Sequence, residues 1–191
     1  MKQSLGFAVD RHQSTLPTGG TGVFVTEGEV PSGSLVSLYP GTIYDPHNPI
    51  LIQSLGNPFI FRCIDGTLID GNDKGLSNYI YRSCSGRDRH GPYETSDCTW
   101  LTQYPINPLA VGQYVNNQSK KFPANVAYQE LDLPSDFPFH LLKYIPNVHY
   151  TPVSQLVDPT VTRLRRVVIL VSLRNIHLGE ELFSSYFTVV H

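Results

Sequence analysis

Three groups of residues in this sequence could do chemistry. Gly19-Gly20-Thr21-Gly22 runs into Val23-Phe24-Val25, and a glycine turn of that kind lets a ligand approach the backbone closely. It lacks the third glycine and the following helix of a dinucleotide-binding fingerprint, so in isolation it reads as a turn. Asp65, Asp70 and Asp73 could gather on calcium, yet they have neither the loop spacing nor the terminal glutamate of an EF-hand. Carboxylates of a hairpin turn explain them more simply. The third group is Asn116-Asn117-Gln118-Ser119 together with Gly179-Glu180-Glu181-Leu182-Phe183-Ser184-Ser185-Tyr186, where buried amides would need partners.

Other chemistries find no support. The seven histidines form no HExxH pair and no GxSxG segment accompanies them, which removes the usual hydrolase signatures. Cys63, Cys84 and Cys98 are widely spaced, with no CxxC and no nearby histidine pair. Neither a disulfide framework nor a metal site is expected from them. Asn117-Gln118-Ser119 fits a glycosylation sequon, but residues 1–15 carry no apolar stretch of a signal peptide, so the match reads as chance.

The elements that must position these groups are mostly strands. Val23–Val25 and Leu35–Tyr39 are β-branched or aromatic runs closed by Gly28 and by Pro40-Gly41, the punctuation of short strands. Phe59–Cys63, Asp65-Gly66 and Thr67–Ile69 predict a hairpin on a two-residue turn. Residues 73–108 mix Ser, Asn, Arg, Gly and Asp and read as an insertion packed on the core. Leu109–Val115 is apolar and reads as a strand ending at the asparagines. Ser135 as N-cap, with Phe137, Leu141, Leu142 and Tyr144 near helical spacing, predicts one short helix over 136–144. Val161–Leu173 predicts a strand buried on both faces, with Arg163-Leu164-Arg165-Arg166 at its start on solvated edge positions.

Composition agrees with a β-rich domain. The 191 residues suit one domain with a real core. There are four alanines against fifteen glycines, fifteen prolines and eleven tyrosines, a mix that disfavours long helices. Lys+Arg 14 against Asp+Glu 16 gives a net charge of −2, which offers no electrostatic footprint for nucleic acid or anionic lipid. Charged residues are 16% of the chain, so few salt bridges are expected. The longest apolar run, Val167–Val171, falls far short of the roughly 20 residues a membrane-spanning helix needs. A soluble intracellular protein, nuclear or cytoplasmic, is expected.

In their order, three blocks of this chain resemble the SET-domain protein methyltransferases. Gly20–Gly41 (GTGVFVTEGEVPSGSLVSLYPG) is similar to the family's opening GxG turn, strand, glycine turn and second strand ending in Tyr-x-Gly. Gln113–Ser119 (QYVNNQS) is similar to its Arg-Phe-Ile-Asn-His-Ser-Cys segment, and Gly179–Tyr186 (GEELFSSY) to its Gly-Glu-Glu-Leu ending in tyrosine. The resemblance runs from about Leu5 to Val190 and makes the chain a single SET domain, 1–191, with core motifs over 20–186 and an insertion at 73–108. It implies small β-sheets with a pseudoknot-like threading of the C-terminal segment against the asparagine segment.

The implied activity is methyl transfer from S-adenosylmethionine to a lysine of a protein or peptide partner, by a monomer acting on no nucleic acid or membrane. The resemblance places the cofactor against Gly20, Thr21, Gly22 and Val23, the side chain of Asn116 and the backbone of Asn117, with Tyr186 beside the transferring methyl. Tyr186 would be the catalytic residue, orienting the amine, and Tyr39 would border the lysine channel. Departures are Asn117 for the usual His, Gln113 for the frequent Arg, Thr42 for a Glu, and Ser184-Ser185 for an aromatic and an Asp. Ser184 would leave room near the amine for more than one methyl. The alternative is a catalytically weak SET domain that serves as a cofactor-binding or interaction module.

Overall fold

The computed structural model describes residues 5–89, 91–152 and 164–185. Four small sheets form its frame. Strands β1 (Phe7–Gln13) and β2 (Thr21–Gly28) make an antiparallel pair. β3 (Leu35–Tyr39) lies beside β10 (Arg165–Ser172), which also pairs with β8 (Val126–Leu133), all antiparallel. A four-stranded sheet runs in the order β5 (Ile60–Arg62), β6 (Leu68–Asp70), β4 (Gly41–Tyr44), β9 (Asn147–His149). The last sheet is a short parallel pair, β7 (Asn116–Asn117) with β11 (Phe183–Ser184). Among the described residues no helix is long and apolar enough to cross a membrane.

The core follows from the β-branched composition. Val9, Val23, Val25, Val30, Val36, Val115 and Val126 pack with Leu170, Ile176 and Leu182 in one cluster, so residues from both ends of the chain close the same interior. Stiff, branched side chains fill a pleated surface well. The two strands predicted at 23–25 and 35–39 are present, as is the buried strand within 161–173, although residues 153–163 lie outside the described set.

Several expectations are corrected. The longest helix among the described residues, Gly75–Arg87, lies inside the 73–108 insertion, where no helix was expected. Its buried side chains are Ser77, Tyr81, Cys84 and Ser85, a face of correct helical spacing whose small polar residues hide it from any hydrophobic pattern. Tyr81 anchors it, with its ring 5.1 Å from that of Trp100 and its hydroxyl donating to the Asp97 carbonyl at 2.6 Å. The predicted helix over 136–144 is a 3-10 turn, Phe139–Tyr144, that begins after Pro138 without a Ser135 cap. Proline at 138 disfavours helical geometry at Phe137, and Pro138 itself is non-helical at ψ 117, so the turn starts at Phe139.

Leu109–Val115 is no strand either: it contains the 3-10 turn Gly112–Tyr114. The Leu109 carbonyl is taken by the Leu38 amide and the Ser37 hydroxyl. The β5–β6 hairpin exists, but three residues, Ile64-Asp65-Gly66, lie beyond the Cys63–Thr67 hydrogen bond that closes it. A two-residue turn of the predicted kind needs two positive φ angles, and only Gly66, at φ +86, has one there. Finally, β10 is the centre of its sheet and not an edge. Arg165 donates to the Thr95 carbonyl, and Arg166 to Asp65, Glu130 and Asp132, so neither is a solvated edge charge.

Candidate cofactor and substrate site

The turn between β1 and β2 brings Gly20 to φ +59, with Ser14 N–H bonded to the Gly20 carbonyl at 2.8 Å. Against this turn lies Glu181, only 5% exposed. Its carboxylate accepts from Ser14 Oγ at 2.7 Å, Thr15 N at 2.8 Å, Thr15 Oγ1 at 2.6 Å and Asn116 Nδ2 at 3.2 Å. A buried carboxylate is tolerated only when its lone pairs are met this fully. Gly22 is required for the fit, because a Cβ there would stand 2.1 Å from Glu181 Oε1.

Asn116 completes the join. Its Nδ2 donates to the Thr21 carbonyl at 3.1 Å as well as to Glu181. Gly20, Thr21, Gly22 and Asn116 are therefore assembled in one place. Val23 is adjacent, but its side chain is buried and its carbonyl accepts from Leu182 N–H at 2.7 Å, so that carbonyl faces the C-terminal segment. Asn117 is exposed and pairs with Ser184 in the β7–β11 ladder.

That ladder is one side of a threading. Gln118 N–H bonds to the Ser184 carbonyl at 2.8 Å, while on the other flank Asn125 N–H bonds to the Phe183 carbonyl at 2.9 Å. The Asn125 side chain donates to the Glu181 carbonyl and accepts from Phe183 N–H, both at 2.8 Å. The C-terminal strand thus passes between residues 116–118 and 125, and the expected pseudoknot-like arrangement is present.

Beside it opens a cavity of about 560 Å³ lined by Tyr39, Ile60, Phe61, Gln113, Tyr128 and Ser185, among others. Three rings crowd together in its wall: Tyr39 to Phe61 at 5.3 Å, Phe61 to Tyr128 at 4.9 Å and Tyr39 to Tyr128 at 6.3 Å. The Tyr39 hydroxyl donates to the Phe59 carbonyl at 2.9 Å. Tyr39 is the residue predicted to border a substrate channel. Ser185, the neighbour of Tyr186 in sequence, lines the cavity, whereas Ser184 is fully buried in β11 and is absent from its lining. Tyr186 itself lies outside the described residues.

Charges hold the cavity's outer wall in place. Glu130 on β8 accepts from Ile64 N–H at the hairpin tip at 3.0 Å and from Arg166 at 2.9 Å, and Arg166 also reaches Asp65 at 3.0 Å and Asp132 at 2.8 Å. Burial raises the carboxyl of Asp65, but the hydrogen bonds from Thr67 and the Arg166 charge outweigh it and hold the group below the usual carboxylate range. Cys63, Asp65 and Glu130 stand close enough to share an ion. Burial and the neighbouring Glu130 push the Cys63 thiol up to about 12, and Arg166 already holds both carboxylates, so the two carboxylates form an ion-pair network beside a neutral thiol.

The three aspartates noted in the sequence do not converge on one another. Asp70 is buried and accepts from Asn57 at 2.8 Å and Asn72 N–H at 3.1 Å, and burial raises its carboxyl against those bonds. Asp73 accepts from the Tyr114 hydroxyl at 2.6 Å. Sequence reasoning missed Asn125, Arg166 and Glu130 as organisers. Glu181 was inside a recognised segment, but nothing local announces that its donors sit at 14, 15 and 116.

No protein-family model matches the chain. Against curated proteins, it is 57% identical over 188 residues to SET domain-containing protein 9 of Homo sapiens, covering 98% of this chain and 60% of that one. It is 56% identical over 188 residues to the protein of the same name in Pongo abelii, covering 98% and 66%. The chain thus spans less than two thirds of the length of these relatives. Among solved structures, ctPRC2 in an autoinhibited conformation bound to S-adenosylmethionine aligns over 95% of this chain and 15% of that one, at 14% identity and TM-score 0.47. CpSET8 from Cryptosporidium aligns over 94% and 57%, at 14% identity and TM-score 0.46. Likeness at that level bears on neither activity nor substrate.

Proposed function

The chain belongs to the SET-domain methyltransferase family, and on that premise we propose that it moves a methyl group from S-adenosylmethionine to a lysine side chain of a protein. The observation that carries this reading is the state of Asn116. Both known bonds of its amide use Nδ2, toward Thr21 and Glu181, which fixes the ring-like cradle and leaves Oδ1 as an acceptor for an ammonium. The glycine turn beside it offers an open backbone, since nothing lies within 4 Å of where a Gly20 Cβ would be. These residues fit the amino-acid end of the cofactor, whose contribution when bound is an electrophilic methyl on a sulfonium.

The chain's own task is positioning and the exclusion of water. The aromatic wall of Tyr39, Phe61 and Tyr128 gives the four-carbon lysine stem an apolar surface, and a low-dielectric setting favours the neutral amine that carries the lone pair. Holding that nitrogen at about 3–3.5 Å from the carbon, in line, supplies much of the rate. Tyr186, next after Ser185, would orient the amine through its hydroxyl.

Two measurements test the reading. Saturating S-adenosylmethionine at about 100 times its Kd should stabilise the protein by about 2.7 kcal/mol in thermal unfolding; no shift at millimolar cofactor would defeat it. Labelled-methyl transfer to lysine-containing peptides should then be present in the wild type and reduced about 100-fold or more in Tyr186→Phe. Cofactor binding without any transfer would leave a binding module in its place.

A further inference from the structure

Gln113 sits in the turn Gly112–Tyr114 and is 5% exposed, and neither its amide oxygen nor its amide nitrogen has a hydrogen-bond partner. An interior amide in that condition is costly, and a methionine of similar length would avoid the cost. Its location supplies a reason for keeping it. Gln113 lines the aromatic cavity and stands beside Tyr39: a Cβ on Gly71 would meet Tyr39 Cε1 at 2.8 Å and Gln113 Cβ at 3.1 Å. Besides Arg62, a cation with no acceptor to offer, three other polar side chains of the lining are already engaged. The Tyr39 hydroxyl donates to Phe59, Glu130 serves Ile64 N–H and Arg166, and Ser185 accepts from Gln118. Both amide atoms are themselves buried, and the broad terminal torsion of glutamine lets the amide reorient when a partner enters the cavity.

Building on the methyl-transfer reading above, we infer that Gln113 is a specificity-determining residue whose amide oxygen accepts an N–H from the target lysine amine. An amide suits this task better than a carboxylate, which would hold the amine as an ammonium with no lone pair to give. In the neutral form unmodified lysine offers two N–H groups, monomethyl-lysine one and dimethyl-lysine none. The acceptors are therefore unmodified and monomethyl-lysine, and the product series stops at dimethyl-lysine. In each transfer the nitrogen lone pair forms the new N–C bond, the electrons of the broken C–S bond stay on the donor's sulfur, and the surplus proton leaves the nitrogen to water.

The test uses the full chain saturated with S-adenosylmethionine and two probes, n-butylamine and butyltrimethylammonium, followed by NMR shifts of the tyrosine rings. The aromatic wall alone favours the quaternary cation, so a preference for the primary amine needs a hydrogen-bond acceptor. Wild type should bind n-butylamine about tenfold more tightly than the quaternary probe, and Gln113→Met should lose or reverse that preference. With a lysine peptide, mass spectrometry should show dimethyl product as the limit for wild type and trimethyl product for Gln113→Met; Gln113→Leu serves equally if the first variant melts early. The same probe preference in wild type and variant overturns the assignment. So does S-adenosylmethionine binding with no response of the rings to either amine, whereas failure of the cofactor to bind defeats the broader reading instead.

Discussion

The cradle around Glu181 and the cavity wall around Gln113 solve opposite problems with similar material. Each places a polar side chain, 5% exposed, near the threaded strand. Glu181 receives four hydrogen bonds from two distant parts of the chain, while the Gln113 amide makes none. Where the protein answers its own buried polar group, that group is a fastener, and its removal costs the fold. Where it leaves the group unanswered, stability is forgone for something that is not part of the chain.

The strongest way to break this contrast is Glu181→Ala. It strands the Ser14 hydroxyl and the Thr15 amide and hydroxyl, and should lower unfolding free energy in urea by about 3 kcal/mol or more. A loss under about 1 kcal/mol would mean that the cradle holds little together. Smaller effects come from the two aspartates of the hairpin sheet, whose carboxyls are shifted in opposite directions. Asp65 is held low in the fold, so its stabilising pairing is present above the unfolded carboxylate range and is lost as pH falls through its lower folded value. Because its side chain is 44% exposed, Asp65→Asn should cost only about 0.5 kcal/mol at pH 7. Asp70 is raised, so its carboxyl favours the fold when protonated, and stability declines as pH rises through the folded value. Asp70→Asn should therefore flatten the pH profile between the unfolded value and the raised folded one, and a profile unchanged in both variants would refute the assignment. The smallest effect sharpens the contrast most: Gln113→Met should raise stability, by about 0.5 kcal/mol in the same urea titration. A loss of more than about 1 kcal/mol would show that the amide is structurally employed.

The two regions were not equally legible in the sequence. The turn at Gly20–Gly22 was legible because glycine turns are written locally, whereas its contact with Asn116 was implied only by the resemblance and not by any local pattern. Glu181 was visible as a letter in Gly179–Tyr186, but its partners Ser14 and Thr15 lie 167 and 166 positions away, and no local pattern encodes such a bond. The helix Gly75–Arg87 hid because its interior face is Ser, Tyr, Cys and Ser, and periodicity is detectable only when inward and outward residues differ in polarity. Arg165 and Arg166 read as surface charges because the groups that sequester Arg166 lie far off in sequence, Asp65 in the β5–β6 turn and Glu130 and Asp132 on β8. Gln113 stood out in sequence as a departure from Arg, yet its burial beside Tyr39 could not be read there.

The passage of Phe183–Ser184 between Asn116–Asn117 and Asn125 also sets an order on folding. Contacts of such long separation form slowly, since the closure entropy of the intervening chain must be met first. During synthesis, residues 14–22 leave the ribosome long before their carboxylate partner, which follows Ser14 by 167 positions. Until then the glycine turn lacks its anchor and the valine core lacks Leu182. A chain stalled before that point carries the glycine turn and the asparagine segment in its sequence without the assembled cradle, so the site forms at one late step of translation.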